Sequence, residues 1–565
     1  MMSSSKHSSL KPPADALWFL SLGGTGVFGA NLSLYGHGGK WLMVDCGILF
    51  GDARTPGIDV MMPDISFVQE HHQDVLGLVV THAHEDHLGA IPYLASLLRL
   101  PVYATPFAAS LLRAKFASIK IQERVDIIEF NPGESFTLGP FTVESIPVTH
   151  SVVESVMLAI KTSCGHALHT GDWRLDPQPV IGDVSDEARL AALGREGLLA
   201  VVGDSTGALV PGKTPSETSV QQTLKNLFGS YDKRIIVTCF ASNIERIHSI
   251  AVAAKASGRY VSLVGRSLWR NAQIAADLGY LPAFETFLSE YEAMETPRHK
   301  IVMICTGNQG ERRAALTRIA VFDHSVVELE RGDVVMFSSS EIPGNEKDIA
   351  RTQSLLLARG IKVLAAKNLP AEKGVLHASG HGAREDMETL YRMVSPPCVM
   401  CVHGEILHQA EHAQLARACG VPKTIVPLDG EIWRLGPGLQ EKVTEVPVGR
   451  LGLDGTALRP LDDAVTHARR RMNFNGAIVA TIVLDRHGHV AAAPQLALLG
   501  LDDAAYGKVL RMTLTDKLED ELARSPRSVL LDDAQTRQLV LNVIRRHMRT
   551  QEGKKPVVDV HLVRL

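Results

Sequence analysis

Val79-Val80-Thr81-His82-Ala83-His84-Glu85-Asp86-His87-Leu88-Gly89 sets three histidines and one aspartate within six residues, between an apolar β-type run and the start of a helical pattern. On the extended part alternate side chains share a face, so His82 and His84 point the same way. Where the chain turns into the helix, Asp86 and His87 can enter the same cavity beside a second ion. Neutral imidazole and carboxylate suit zinc or manganese. Ligands shared between two ions about 3.5–4 Å apart are the arrangement of two-metal hydrolysis.

Working outward, ligand-type residues recur where apolar runs end. Val148-Thr149-His150-Ser151 closes one β-rich run, His169-Thr170-Gly171-Asp172 closes another, and Val399 to Val402 leads into His403-Gly404-Glu405. The C-terminal edge of strands is where α/β sites gather. Between about Leu17 and Asp204, β-rich runs such as Trp41 to Asp45, Leu76 to Val80 and Phe141 to Val148 alternate with helical stretches at Leu88 to Leu98 and Phe107 to Phe116, the pattern of an α/β layered domain. From about Thr214 to Ala366 helix and strand follow the rhythm of a doubly wound parallel sheet. After His377 the strand and histidine motifs resume. A Gly- and Pro-rich stretch near Gly436 to Pro460 then precedes a last block, predicted as α+β: strand Ala477 to Val483, helices Ala504 to Ala523 and Ala534 to Met548, and strand Val557 to Val563.

Length and composition bound the rest. At roughly 100–200 residues per domain, 565 residues predict three or four domains, and 45% hydrophobic with 21% charged residues is ordinary for a globular chain. With 58 basic against 62 acidic residues and a net charge of −4, any polyanion site must be local. From Arg469 onward 16 Lys and Arg stand against 11 Asp and Glu, and these clusters read as a solvated face. The compositional oddity is 23 histidines beside 7 cysteines, which favours imidazole and carboxylate ligands over thiolate. Scattered cysteines, odd in number, fit a reducing cytoplasm. Cys398 and Cys401 form a C-x-x-C within an apolar run that reads as a buried strand. The polar start, Met1 to Pro13, is not followed by a secretory-type apolar core, and the longest apolar stretches fall short of the roughly 18–20 residues of a membrane helix. Gly24-x-Gly26-x-x-Gly29, with Asp45 further on, matches a dinucleotide fingerprint. A turn at Gly36-His37-Gly38-Gly39 makes it a hairpin instead, with no helix N-terminus to face a pyrophosphate.

Taken together, His82-x-His84-x-Asp86-His87, His150, Asp172 and His403 resemble the motifs of the metallo-β-lactamase fold, and the α/β domain between its halves resembles the β-CASP insertion of nucleic-acid processing enzymes. The resemblance is closest to the ribonuclease J family. From about Leu20 to the C-terminus it runs through Leu22-Gly23-Gly24, Gly203-Asp204-Ser205-Thr206, Pro211 to Glu217, Phe240-Ala241-Ser242-Asn243, Gly265-Arg266-Ser267, Thr306 to Glu311, Ser338-Ser339-Ser340, Ile342 to Glu346 and His377-Ala378-Ser379-Gly380-His381. It implies a flexible N-terminus at 1–15, a metallo-β-lactamase αββα sandwich from 16–213 and 371–445, and a β-CASP domain at 214–370. A linker at 446–465 and a C-terminal α+β oligomerisation domain at 466–565 complete the expected organisation.

The same resemblance implies that His82, His84 and His150 hold one metal and Asp86, His87 and His403 the other, with Asp172 bridging. The ions would be zinc, with manganese or magnesium as alternatives in activity, and a structural calcium is considered near Asp454. Asp204 and His381 are the implied acid and base, Asp204 favoured as proton donor. His377, Ala378, Ser379, Gly380 and His381 are the implied phosphate cradle, and Ser242, Asn243 and Arg266 the implied RNA contacts. The activity implied is RNA phosphodiester hydrolysis, exonucleolytic from 5′-monophosphate ends and endonucleolytic, in rRNA maturation and mRNA decay, by a cytoplasmic homodimer or homotetramer without membrane attachment. Two other readings remain: a thioester or lactone hydrolase on the same fold, disfavoured by the inserted domain that roofs the cleft, and a catalytically silent RNA-binding subunit, disfavoured by the complete ligand set.

Overall fold

The computed structural model describes residues 10–52, 54–119, 125–501 and 506–565; of the expected flexible N-terminus, residues 1–9 lie outside them. The chain divides into two compact units, Met1–Leu49 with Met62–Gly449 and Phe50–Met61 with Arg450–Leu565.

In the first unit an eight-stranded sheet runs in the order Glu441–Glu445, Glu431–Gly436, Leu17–Gly23, Leu32–His37, Lys40–Val44, Val75–Val79, Val102–Ala104, Ile127–Glu129. A seven-stranded sheet runs Lys423–Ile425, Cys398–Val402, Ala200–Asp204, Gly165–His169, Val156–Thr162, Phe141–Pro147, Ser135–Leu138. Period-two alternation sorts the second sheet's side chains. Val156, Leu158 and Ile160 join Phe19, Tyr35, Leu42 and Val44 of the first sheet in one core, while Met157 and Ala159 meet Leu190, Met387, Leu390 and Leu415 of the covering helices. The two sheets are therefore the inner layers of a sandwich. The helices Glu187–Glu196, Arg384–Val394 and Ile406–Ala418 form the outer layer on one side.

The glycine-rich decoy resolves as the hairpin expected of it. Leu32–His37 pairs antiparallel with Lys40–Val44 across Gly38 and Gly39, both at positive φ (57° and 75°). Cys398 and Cys401 are buried in one strand but point to opposite faces, Cys398 into the inter-sheet core and Cys401 under the helices, so they cannot share an ion. The helix expected across Leu88 to Leu98 is split into Glu85–Leu88 and Ile91–Leu98, because Pro92 has no N–H to give the carbonyl of Leu88.

Also in this unit is an all-parallel five-stranded sheet, in the order Tyr260–Val264, Ile301–Cys305, Ile235–Thr238, Val334–Phe337, Lys362–Ala365. Its central strands are buried apolar runs, as a parallel sheet covered on both faces requires. Ser242, Asn243, Arg266, Thr306 to Glu311 and Ser338 to Ser340 all follow the C-terminal ends of these strands.

The second unit holds a three-stranded sheet, Val490–Leu499, Ala477–Leu484, Val557–Arg564, packed on the helices Tyr506–Arg524 and Asp533–Gln551. The strand Val490–Leu499 and the helix Ala464–Asn475 add to the elements expected there. The segment 446–465, expected as a linker, carries the strands Arg450–Asp454 and Ala457–Pro460, paired as a hairpin. Near the expected calcium position, Asp454 Oδ2 accepts from Arg459 Nε at 3.1 Å and Arg469 Nη2 at 2.8 Å. Among the described residues no helix is long and apolar enough to cross a membrane.

Candidate metal centre

At the C-terminal edge of the sandwich strands, His82 Nε2 and His150 Nε2 approach His84 Nδ1 to 3.1 and 3.0 Å. Asp172 Oδ2 lies 3.6 Å from His82 Nε2 and 3.9 Å from His150 Nε2. Beside this group, His403 Nε2 lies 3.3 Å from Asp86 Oδ2 and 3.5 Å from Asp172 Oδ1, and His87 Nε2 lies 3.6 Å from Asp86 Oδ2 and 3.3 Å from Asp172 Oδ1. The ligand atoms of each set fall within 4.8 Å of one another. Asp172 thus turns one oxygen to each cluster, and its buried Oδ1 has no hydrogen-bond partner. A buried carboxylate oxygen left unpaired among imidazole lone pairs fits a cation and little else.

The opposite ring nitrogens are each held. His82 Nδ1 meets Thr81 Oγ1 at 3.0 Å, His87 Nδ1 meets Asp45 Oδ2 at 2.7 Å, His150 Nδ1 meets the Gly380 carbonyl at 2.6 Å, and His403 Nδ1 meets Thr206 Oγ1 at 2.9 Å. Such partners orient each ring so that Nε2 is the nitrogen turned toward an ion. Asp45 also accepts from the backbone N–H and hydroxyl of Thr81, at 2.8 and 2.9 Å. Asp45 and His403 both take left-handed backbone, φ 60° and 52°, a conformation that costs a non-glycine residue about 1–3 kcal/mol and tends to collect at functional sites.

Electrostatics divides the two clusters. Burial holds His82, His84 and His150 below the usual imidazole range, His84 down to about 4, so these rings are neutral. Burial acts on His87 and His403 too, but Asp172 and the other carboxylates around them raise both well above that range. The half-buried Asp86 and the buried Asp172 are in turn held low by neighbouring histidines, against desolvation.

Comparison with related proteins supplies the family. Residues 40–194 match the model of the beta-lactamase superfamily domain, 232–356 that of the ribonuclease J beta-CASP domain, 372–427 that of the Zn-dependent metallo-hydrolase RNA specificity domain, and 464–565 that of the ribonuclease J C-terminal domain. The chain is 38% identical over 558 residues to the ribonuclease J of Sinorhizobium meliloti, covering 98% of each. The chain belongs to the ribonuclease J family. The ribonuclease J of Thermus thermophilus is 31% identical over 555 residues, covering 97% of this chain and 95% of that one. A solved protein of unknown function from Enterococcus faecalis shares the fold, with a TM-score of 0.53 and 17% identity over 74% of this chain and 100% of that chain.

The remaining motif residues of this ribonuclease J family member fall into place around the two clusters. Asp204 Oδ2 lies 2.7 Å from His381 Nδ1, and Asp204 Oδ1 accepts from the N–H of Thr206 at 2.8 Å. His381 and His403 hold Asp204 low against burial. Asp204 and Asp172 raise His381 against the same effect. In the segment 377–381 the Ser379 carbonyl accepts from Arg174, the Gly380 carbonyl holds His150, and Ser379 Oγ accepts from the N–H of His381 at 3.1 Å. A Cβ at Gly380 would lie 2.5 Å from His150 Cε1, so only glycine allows this approach. Burial and the cations of Arg246 and Arg174 keep His377 neutral, and its buried Nδ1 has no partner. Ala378 is fully buried.

The three expected RNA contacts differ. Arg266 is exposed at the start of the helix Arg266–Asp277, and Ser242 is half-buried. Asn243 caps the helix Ile244–Ala256, its Oδ1 accepting from the N–H of Arg246 at 2.8 Å, so that oxygen serves the fold. Sequence reasoning missed Asp45, dismissed with the dinucleotide pattern, and gave no role to Thr206. Asp45 carries no local signal because its partner lies 42 positions away.

Proposed function

We propose that this chain is a two-metal ribonuclease that hydrolyses RNA phosphodiester bonds, both 5′-to-3′ from monophosphorylated ends and internally, in rRNA maturation and mRNA decay. The observation that carries this is Asp172, whose two oxygens face two separate ligand clusters. His82, His84 and His150 would hold one ion, Asp86, His87 and His403 the other, with Asp172 shared. Zinc fits the nitrogen-rich donor set best. Bound there, two divalent ions would supply a water that ionises near neutral pH and positive charge against the charge developing on phosphorus.

The chain's own groups handle the proton. Asp204 engages His381 Nδ1 at 2.7 Å, which would leave Nε2 for the substrate. We assign His381 the donation of a proton to the departing oxygen, with Asp204 orienting the ring and stabilising its cation. Such a donor is worth about 10²–10⁴-fold in rate. We assign His377, Ala378, Ser379 and Gly380 with His381 to the cradle of the substrate phosphates, and Ser242 and Arg266 to contacts with RNA.

The test is one RNA labelled at either end, bearing a 5′ monophosphate, triphosphate or hydroxyl, incubated with zinc or manganese. Mononucleotides released from the monophosphorylated 5′ end, together with internal fragments, are expected; Asp86→Ala should yield neither. Full activity in that variant, or hydrolysis of thioesters or lactones without RNA cleavage, refutes the assignment.

A further inference from the structure

Behind the segment that carries His381 lies a buried network of five ionisable side chains, Arg174, Asp176, Glu217, Glu245 and Arg246, each no more than 3% exposed. Arg174 Nη2 pairs with Glu245 Oε2 at 2.5 Å and Asp176 Oδ2 at 3.2 Å, and its Nη1 donates to the Ser379 carbonyl at 3.0 Å. Glu245 and Arg246 are consecutive in the first turn of the helix Ile244–Ala256 of the parallel-sheet domain. Arg246 forks onto Glu217 at 2.7 and 2.9 Å, donates to the Ser338 carbonyl at 2.6 Å, and reaches the carbonyls of Leu376 and Ala378 at 3.5 Å. Charges buried this deeply destabilise a fold when left unpaired, and each of these five side chains has an oppositely charged partner.

The backbone from 376 to 380 is thereby held from behind. Arginine addresses the carbonyls of 376, 378 and 379; the next carbonyl, of Gly380, holds His150 Nδ1 at 2.6 Å, and the next side chain, His381, meets Asp204 at 2.7 Å. We propose that Arg174 and Arg246, with Glu245 and Glu217, are positioning residues that set the placement of His381 and of the His150 ring, coupling the seating of the parallel-sheet domain to the metal centre. This rests on the hydrolytic reading above.

Arg174→Lys tests it in the full chain, because lysine keeps the charge but cannot span Glu245 and the Ser379 carbonyl as a fork. The expected result is a melting temperature within a few degrees of the parent and a kcat lower by about tenfold or more at a KM within about twofold, since a displacement of about 1 Å can cost on the order of 100-fold. The visible spectrum of the cobalt-loaded protein should shift as well. Tyr280→Phe removes a hydrogen bond to Glu154 (3.0 Å) outside this network and should change none of these. Parental kcat and cobalt spectrum in Arg174→Lys overturn the proposal. If that variant does not fold, Glu245→Gln, which keeps volume and one acceptor, is read the same way; failure of both to fold assigns the network to folding alone and also overturns it. If the parent cleaves no RNA, the functional reading fails by itself and the cobalt spectrum decides the positioning claim.

Discussion

Replacing Asp45 with asparagine isolates one hydrogen bond behind the metal centre. Asparagine tolerates the left-handed backbone at this position (φ 60°), so the main chain need not move. The carboxylate accepts three donors: the Thr81 N–H at 2.8 Å on Oδ1, and the Thr81 hydroxyl at 2.9 Å and His87 Nδ1–H at 2.7 Å on Oδ2. An amide has one oxygen. With its NH2 toward His87, the ring must take the other tautomer and place a proton on Nε2, where the ion would bind. With its NH2 toward Thr81, two N–H donors oppose each other in a buried site, at a cost of about 1–3 kcal/mol. Either way the His87 cluster weakens, and loss of such an outer partner typically costs about 10–100-fold in metal affinity, or about 1.4–2.8 kcal/mol. Competition for zinc against a chromophoric chelator should show that loss at one of two sites, with the other, built on His82, His84 and His150, changed by less than about threefold. Circular dichroism checks that the variant is folded. A folded Asp45→Asn with parental affinity at both sites, or an equal loss at both, refutes the reasoning.

Gly380→Ala should lower bound zinc, measured by plasma mass spectrometry, from two equivalents to about one, because its Cβ would displace the His150 ring (2.5 Å from Cε1) without touching the other cluster. Metal binding should release protons unequally. His82, His84 and His150 are already neutral near pH 7, whereas carboxylates keep His87 and His403 protonated until an ion displaces those protons. Affinity at the second cluster should therefore rise with pH while the first changes little, which calorimetric titration in buffers of different ionisation enthalpy resolves. His381→Ala should reduce the cleavage rate by about 10²–10⁴-fold with both metals retained; loss of metal instead would make His381 a ligand. Cys398→Ala should leave metal content unchanged and cost about 1 kcal/mol in urea unfolding, since its thiol, raised to about 12 by burial, is a core group.

Much of this centre is legible in one dimension because its densest part is local. Four candidate ligands fall within His82 to His87, and strand alternation followed by a helical turn is enough to aim them at a common cavity. The parallel-sheet domain is equally legible, since apolar runs separated by helical stretches have few folded solutions. The hairpin inside 446–465 was not, because glycine and proline signal turns without saying whether the chain between them pairs.

The sequence by itself determined the donor types, their order at strand ends and the family. Only the tertiary structure decided that Asp172 gives one oxygen to each cluster, that Asp45 and the Gly380 carbonyl choose the tautomers of His87 and His150, that Asp204 and His381 meet at 2.7 Å, and that the C-x-x-C spans two faces of a strand. Each of these depends on which side chains from distant segments meet, and at what burial. Hydrogen-bond direction and protonation follow from distances of a few ångströms and from desolvation, which packing fixes and residue spacing does not.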